Sequence, residues 1–216
     1  MPSLCKGVSR LKKRKVRGPN VEIPPIFILR HGQTEWNLGH RLQGSLDSPL
    51  TARGKEQAVV QQRLLAEVFA RETAQVVVSP LGRTRQTAEI ALRGHKLVSP
   101  PRFDPRIAEI SAGLWEGLER SEIKRLWPSS CQASCDFEYY TGAINGEGVD
   151  KLRKRCTTFL NELTTTTVLI THGICSVMLR GILCGLEHQA MCKLPLTQGC
   201  IFEVRDGVEV ILQEAK

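Results

Sequence analysis

The chain has 216 residues, 41% hydrophobic and 24% charged, which excludes a disordered polymer and is long enough to bury a core without covalent staples. No run of eighteen apolar residues occurs and the N-terminus has no apolar stretch of signal length, so neither a transmembrane helix nor a secretory signal is expected. The net charge of +8 is local: seven of the 30 Lys and Arg, and none of the 22 acids, lie in residues 1–20, so the rest is nearly neutral and the basicity is no argument for a nucleic-acid-binding fold.

Residues 1–22 read as a basic flexible tail, closed by Gly18-Pro19-Asn20 and then Pro24-Pro25. A solvated arm is the favoured reading. Lys12-Lys13-Arg14-Lys15 also resembles a nuclear or nucleic-acid patch, Leu4, Val8 and Leu11 among cations would suit an anionic membrane, and the acid-free pattern fits an organelle transit peptide. Residues 23–216 read as one domain. Ile26–Leu29 is expected as a buried strand, Thr51–Arg71 as an amphipathic helix, Val76–Val78 as a strand, and Gly82–Leu92 as a helix. Arg106–Ile110 is expected as a strand and Glu119–Trp127 as a short helix. Residues 128–148 look irregular, a candidate lid with Phe137, Tyr139 and Tyr140. Val149–Leu163 is helical, Val168–Thr171 a strand, Ile174–Leu186 an apolar helix, and Ile201–Val204 with Val208–Leu212 a hairpin across Arg205-Asp206-Gly207. Alternating strands and helices point to an α/β fold, a three-layer α/β/α sandwich with a mostly parallel central sheet.

Eight cysteines, at 5, 131, 135, 156, 175, 184, 192 and 200, occur without a CxxC or zinc-finger spacing. Several lie in apolar segments, where a reduced cysteine packs as a small hydrophobe. The expectation is of reduced, inert thiols in a reducing compartment, the cytoplasm, with the tail leaving nuclear or organellar targeting open.

In α/β sheets, ligands collect beyond the carboxyl ends of the strands. There the chain places Arg30-His31-Gly32-Gln33-Thr34, then Ser79-Pro80-Leu81-Gly82-Arg83, then Glu109, then Thr171-His172-Gly173. Two guanidinium forks match a tetrahedral oxyanion. A neutral histidine is a nucleophile that can hold a phosphoryl group, and a protonated Glu109 can supply a proton to a leaving alcohol. Gly32 and Gly173 would let backbone N–H groups approach phosphate oxygens. Phosphoryl transfer is mostly positioning and charge stabilisation, and no acidic cluster of the kind magnesium prefers is present. No metal and no cofactor are expected.

Arg30-His31-Gly32-Gln33-Thr34-Glu35-Trp36-Asn37 matches R-H-G-x-T-x-x-N, the hallmark of the histidine phosphatase superfamily, the phosphoglycerate-mutase-like proteins. Gln43-Gly44, Asp47-Ser48-Pro49-Leu50-Thr51, Ser79-Pro80-Leu81 with Arg83, Glu109 with Gly113-Leu114-Trp115-Glu116-Gly117, and Thr171-His172-Gly173 extend the resemblance in order from about residue 26 to 205. The resemblance implies that His31 becomes phosphohistidine, that Arg30, Arg83 and His172 clamp the phosphate, and that Glu109 is the proton donor. It implies that Asn37, Gln43, Gly44 and Gly173 line the phosphate or substrate side.

Rivals exist at two positions: Arg85 for Arg83, and Glu116 for Glu109. Spacing from Ser-Pro-Leu favours Arg83, and placement at a strand end favours Glu109. His40, His95 and His188 read as ordinary. Glu109 is followed by Ile-Ser-Ala-Gly-Leu-Trp-Glu-Gly, the form usual in phosphatases, whereas cofactor-dependent mutases resemble a longer chain with a basic insert. A phosphatase acting on a small phosphomonoester is therefore expected, with a mutase or a non-catalytic phospho-ligand binder as alternatives. Gly146-Glu147-Gly148 and Ile174-Cys175 depart from the common pattern. The terminal hairpin offers an edge for oligomer formation, and the basic tail a contact for an anionic partner.

Overall fold

The computed structural model describes residues 23–130 and 132–214; the tail and its four readings lie outside the described residues. The strands are β1 (Ile26–Arg30), β2 (Gln75–Val78), β3 (Arg102–Phe103), β4 (Thr167–Thr171), β5 (Ile201–Arg205) and β6 (Val208–Leu212). The helices are α1 (Glu35–Leu38), α2 (Ala52–Arg71), α3 (Gly82–Ala91), α4 (Arg120–Leu126), α5 (Asp136–Thr141), α6 (Val149–Asn161), α7 (Gly173–Leu183) and α8 (His188–Met191). One six-stranded sheet has the order β3-β2-β4-β1-β5-β6, parallel from β3 to β1 and antiparallel from β1 to β6.

The central strands are apolar without alternation because both faces of the sheet are covered. Phe27, Leu29, Val76, Val78, Val168 and Ile170 pack on Leu64, Leu65 and Val68 of α2 and on Ala88 and Ala91 of α3. Ile26, Ile28, Val77 and Leu169 face the other way, onto Leu152, Phe159 and Leu160 of α6 and Val177 and Met178 of α7. Successive side chains of one strand thus feed two cores, which makes the three layers. A third cluster of Leu42, Ala112, Trp115, Ile123 and Tyr139 supports the segments over the strand ends. Among the described residues no helix is long and apolar enough to cross a membrane.

Three expectations need correction. Arg106–Ile110 is not a strand. The third strand is the two-residue β3, and Pro105–Ile107 is a 3-10 turn whose first residue lacks an N–H and whose next amide donates to the Asp104 carboxylate. The segment 128–148 is only partly irregular: it carries α5, with Phe137 and Tyr139 buried. The cysteines are not all free thiols. Cys135 and Cys192 form a disulfide with Cα atoms 5.6 Å apart, whereas Cys156, Cys175 and Cys200 are free and buried and Cys184 is free and half-buried.

Candidate active site

The register of the sheet brings the two histidines together. β1 and β4 are parallel and pair Arg30 with Thr171, so His31 and His172 leave adjacent strands at one level. The His31 N–H donates to the Thr171 carbonyl at 3.0 Å, and the two imidazoles sit edge to face with centroids 5.3 Å apart. Both are almost fully buried.

His31 Nδ1 lies 2.7 Å from the Gly32 carbonyl oxygen, so Nδ1 carries the proton and Nε2 keeps its lone pair. Burial, then the charges of Arg83 and Arg30, hold its pKa well below 6.5, against the opposing pull of that carbonyl. Gly32 is required for a reason other than phosphate access. A Cβ there would stand 2.2 Å from the Gly54 carbonyl oxygen, and its N–H already donates to Thr87 Oγ1 at 3.1 Å. The expected approach of this N–H to phosphate is therefore corrected.

His172 is held at both nitrogens. Nδ1 accepts from Arg83 Nε at 3.1 Å, which leaves Nε2 to donate to Ser79 Oγ at 2.6 Å. Burial first, then Arg83, His31 and Arg30, keep it neutral by lowering its pKa well below 6.5. Arg83 is itself braced: its NH1 donates to the Leu46 carbonyl at 2.6 Å and Asp47 Oδ1 at 2.9 Å, and its NH2 to the Gly44 carbonyl at 2.8 Å. Four of the five N–H groups of a guanidinium are thereby engaged, so one remains for a ligand. Asp47 also accepts from the Gly82 and Arg83 amides, capping α3, whose own N-cap residue Leu81 has no capping side chain.

Arg30 has more to offer. One guanidinium nitrogen reaches the Leu196 carbonyl, but buried Nε has no partner. Burial lowers its pKa, while Glu109 works in the opposite direction. The guanidinium lies against Gly173, where a Cβ would be 3.4 Å from Cζ and Nε. Glu109 follows the 3-10 turn rather than a strand end, and its carboxylate accepts from the amides of Ile110 (3.1 Å), Ile174 (3.1 Å) and Cys175 (2.9 Å), the latter two in the first turn of α7. Tyr140 of α5 faces the same ground: burial, then Glu109, raises its phenol pKa, so it stays an O–H donor.

The outer residues act through Thr34. Asn37 and Thr34 form a reciprocal cap on α1, with Asn37 Oδ1 accepting from the Thr34 N–H at 3.2 Å. Gln43 Nε2 donates to Thr34 Oγ1 at 2.8 Å and leaves its buried Oε1 without a partner. Glu116 is excluded as a free acid, since its carboxylate accepts from Ser45 N and Oγ, Ser111 Oγ and Ala112 N.

Arg30, His31, Arg83, Glu109, His172 and Gly173 are thus brought together, with Asn37, Gln43 and Gly44 behind them. Sequence reasoning missed Ser79 as the partner of His172, and Gln198, whose Nε2 donates to the His31 carbonyl at 3.0 Å and to Asn37 Oδ1 at 3.3 Å. Topology carries a signal for Gln198: β5 runs antiparallel to β1, so residues just before β5 lie beyond the end of β1. No convergent set of metal ligands occurs in this constellation among the described residues; the one such group, Cys135, Glu138 and Cys192, lies outside it.

The family model of the histidine phosphatase superfamily (branch 1) matches residues 26–211. A probable phosphoglycerate mutase GpmB from Yersinia enterocolitica is 35% identical over 182 residues, covering 79% of this chain and 80% of its own length. Among solved structures, the α-ribazole phosphatase of Shigella flexneri is similar at a TM-score of 0.73 and 26% identity, covering 88% of this chain and 96% of that one. A mycobacterial glucosyl-3-phosphoglycerate phosphatase in complex with VO3 is similar at 0.72 and 26%, covering 88% and 97%.

Proposed function

Since the chain belongs to the histidine phosphatase superfamily, we propose that it is a metal-independent phosphomonoesterase acting on a small phosphorylated metabolite through phosphohistidine at His31. The observation that carries this reading is the state of His31: neutral, with Nδ1 tied to the Gly32 carbonyl, so that Nε2 presents a lone pair close to two guanidinium charges.

The phosphoryl group of the substrate takes the unused donors of Arg30 and the remaining N–H of Arg83, while the Gly173 position leaves room beside Arg30. His31 Nε2 attacks phosphorus as the bond to the ester oxygen breaks, and Glu109, as the general acid, passes a proton to the leaving oxygen. The product alcohol departs. Glu109, now a carboxylate, takes a proton from water, whose oxygen attacks phosphorus and breaks the P–N bond, releasing inorganic phosphate and restoring His31. Arg83 and Ser79 fix the ring of His172 so that its position and neutral state are set before substrate arrives. Charge stabilisation from two arginines supplies what a metal supplies in other phosphoryl-transfer sites.

Hydrolysis is favoured over mutation by the sequence after Glu109, which lacks a basic insert to grip a second phosphate. The mutase reading draws its support from the name of the bacterial relative. Both follow one first step and part at the acceptor, water or a second hydroxyl. The test is turnover of p-nitrophenyl phosphate near neutral pH with EDTA present, followed by a panel of natural monoesters. Wild type is expected to turn over and His31→Ala to lose about a thousandfold or more. Full activity in the variant overturns the role of His31, and loss of wild-type activity in EDTA overturns metal independence. Phosphate transfer to a second hydroxyl without release to water would establish the mutase.

A further inference from the structure

Away from the phosphate constellation, two short helices from distant parts of the chain meet with four ligand-type side chains. Cys135 is the N-cap of α5 and Glu138 lies in its first turn; His188 opens α8 and Cys192 closes it. Spacings of three and four residues put each pair on one side of its helix. The sulfurs of Cys135 and Cys192 and a carboxylate oxygen of Glu138 lie within 4.8 Å of one another. His188 Nε2 stands 3.2 Å from Glu138 Oε1.

We propose that in the reduced chain Cys135, Glu138, His188 and Cys192 form a tetrahedral site for a thiophilic divalent cation, Zn2+. A disulfide alone accounts for the two sulfurs but not for a carboxylate oxygen within 4.8 Å of both and an imidazole hydrogen-bonded to that carboxylate. The geometry suits the ion. Ligand bonds of about 2.0–2.3 Å imply edges of about 3.3 Å between N and O and about 3.8 Å between sulfurs. The His188–Glu138 edge already has the first length; reduction with small rotations about the cysteine side chains supplies the second, and a turn of the exposed His188 side chain towards the sulfurs closes the site. Outer support is present as well: Ser134 N and Oγ both donate to Glu138 Oε2, at 2.9 and 2.7 Å, holding the carboxylate in place with Oε1 turned to His188.

The two states interconvert with balanced chemistry. A dithiol reductant gives two electrons and two protons to the Cys135–Cys192 bond and is itself oxidised to its disulfide. Zn2+ then displaces the two thiol protons into solvent. The consequence is local to the phosphate pocket walls, because α5 carries Tyr140 and the segment after α8 carries Leu196 and Gln198.

The experiment is titration of the full chain, reduced and stripped with chelator, with Co2+ as the spectroscopic probe and Zn2+ in competition. A sulfur-to-cobalt charge-transfer band with tetrahedral d–d absorption is expected, saturating at one equivalent and abolished by Zn2+. It is retained in Cys184→Ser and absent in Cys192→Ser. Ser134→Ala, which touches no ligand sulfur, is expected to weaken binding about tenfold or more. No charge-transfer band in the reduced wild type, or a band unchanged in Cys192→Ser, overturns the proposal and leaves a disulfide only. If Cys192→Ser does not fold, unaltered Co2+ affinity in both Ser134→Ala and His188→Ala overturns it.

Discussion

In the proposed reaction the attacking histidine must be unprotonated and aimed; at His31 the contact to the Gly32 carbonyl orients the ring and leaves Nε2 the lone pair of the neutral form. Burial first, then the charges of Arg83 and Arg30, push its protonation well below pH 6.5. In the free enzyme His31 therefore remains competent as the medium turns mildly acidic. Expected is a kcat/KM profile for p-nitrophenyl phosphate with no loss assignable to His31 between pH 7 and 6; an acid limb centred near 6.5 contradicts the assignment. At this scale the motifs alone picked out Arg30, His31, Arg83, Glu109 and His172. What they did not reveal is how each is held: Asp47 under Arg83, Ser79 against His172, and Gln198 bridging His31 and Asn37 come from loops whose meeting depends on the folded chain.

Elements place these residues, and their legibility followed their length and periodicity. The buried strands β1, β2 and β4 and the helices α2, α3, α6 and α7 were expected close to their observed spans, because long apolar periods leave little choice. β3, α1, α5 and α8 were missed or misplaced. Each has two to six residues and is set by caps and tertiary contacts, such as the Thr34–Asn37 cap of α1 and the Asp104 turn after β3. Helix α7 joins site and frame: its first turn receives Glu109, and Arg180, near its end, meets Glu209 of β6 in a buried bidentate pair at 2.7 and 2.9 Å. Arg180 also lies over the Phe202 ring at 3.8 Å. Removing only the acid strands a buried cation, so Glu209→Ala is expected to lower stability by about 3–5 kcal/mol in urea unfolding. A loss under 1 kcal/mol would mean that water reaches Arg180.

For the molecule as a whole, two buried histidines with lowered pKa make folding sensitive to mild acid. Below pH 6.5 the unfolded chain takes up protons that the folded chain refuses, so stability present above 6.5 is lost as pH falls towards the folded-state values. The slope from each histidine is at most about 1.4 kcal/mol per pH unit. Urea midpoints measured from pH 7 to 5 are expected to fall steadily; a flat series shows that the imidazoles charge without unfolding. The fold class was visible in the order of strands and helices, and the disulfide was not, since Cys135 and Cys192 are 57 residues apart with nothing in their spacing to pair them.

The strand order has a consequence for how the chain is made. Among the described residues β1 is the first strand to leave the ribosome, yet its two neighbours in the sheet are β4 and β5, from the last third of the sequence. Until residue 205 has emerged, the Arg-His-Gly strand has an unpaired edge, and β2 cannot substitute because it pairs with β4 and β3. Such distant pairing slows folding and leaves apolar backbone exposed during synthesis. The chemistry proposed for His31 thus waits until residue 205 has been made, and a nascent chain halted before β5 is a client for chaperones with an unfinished site.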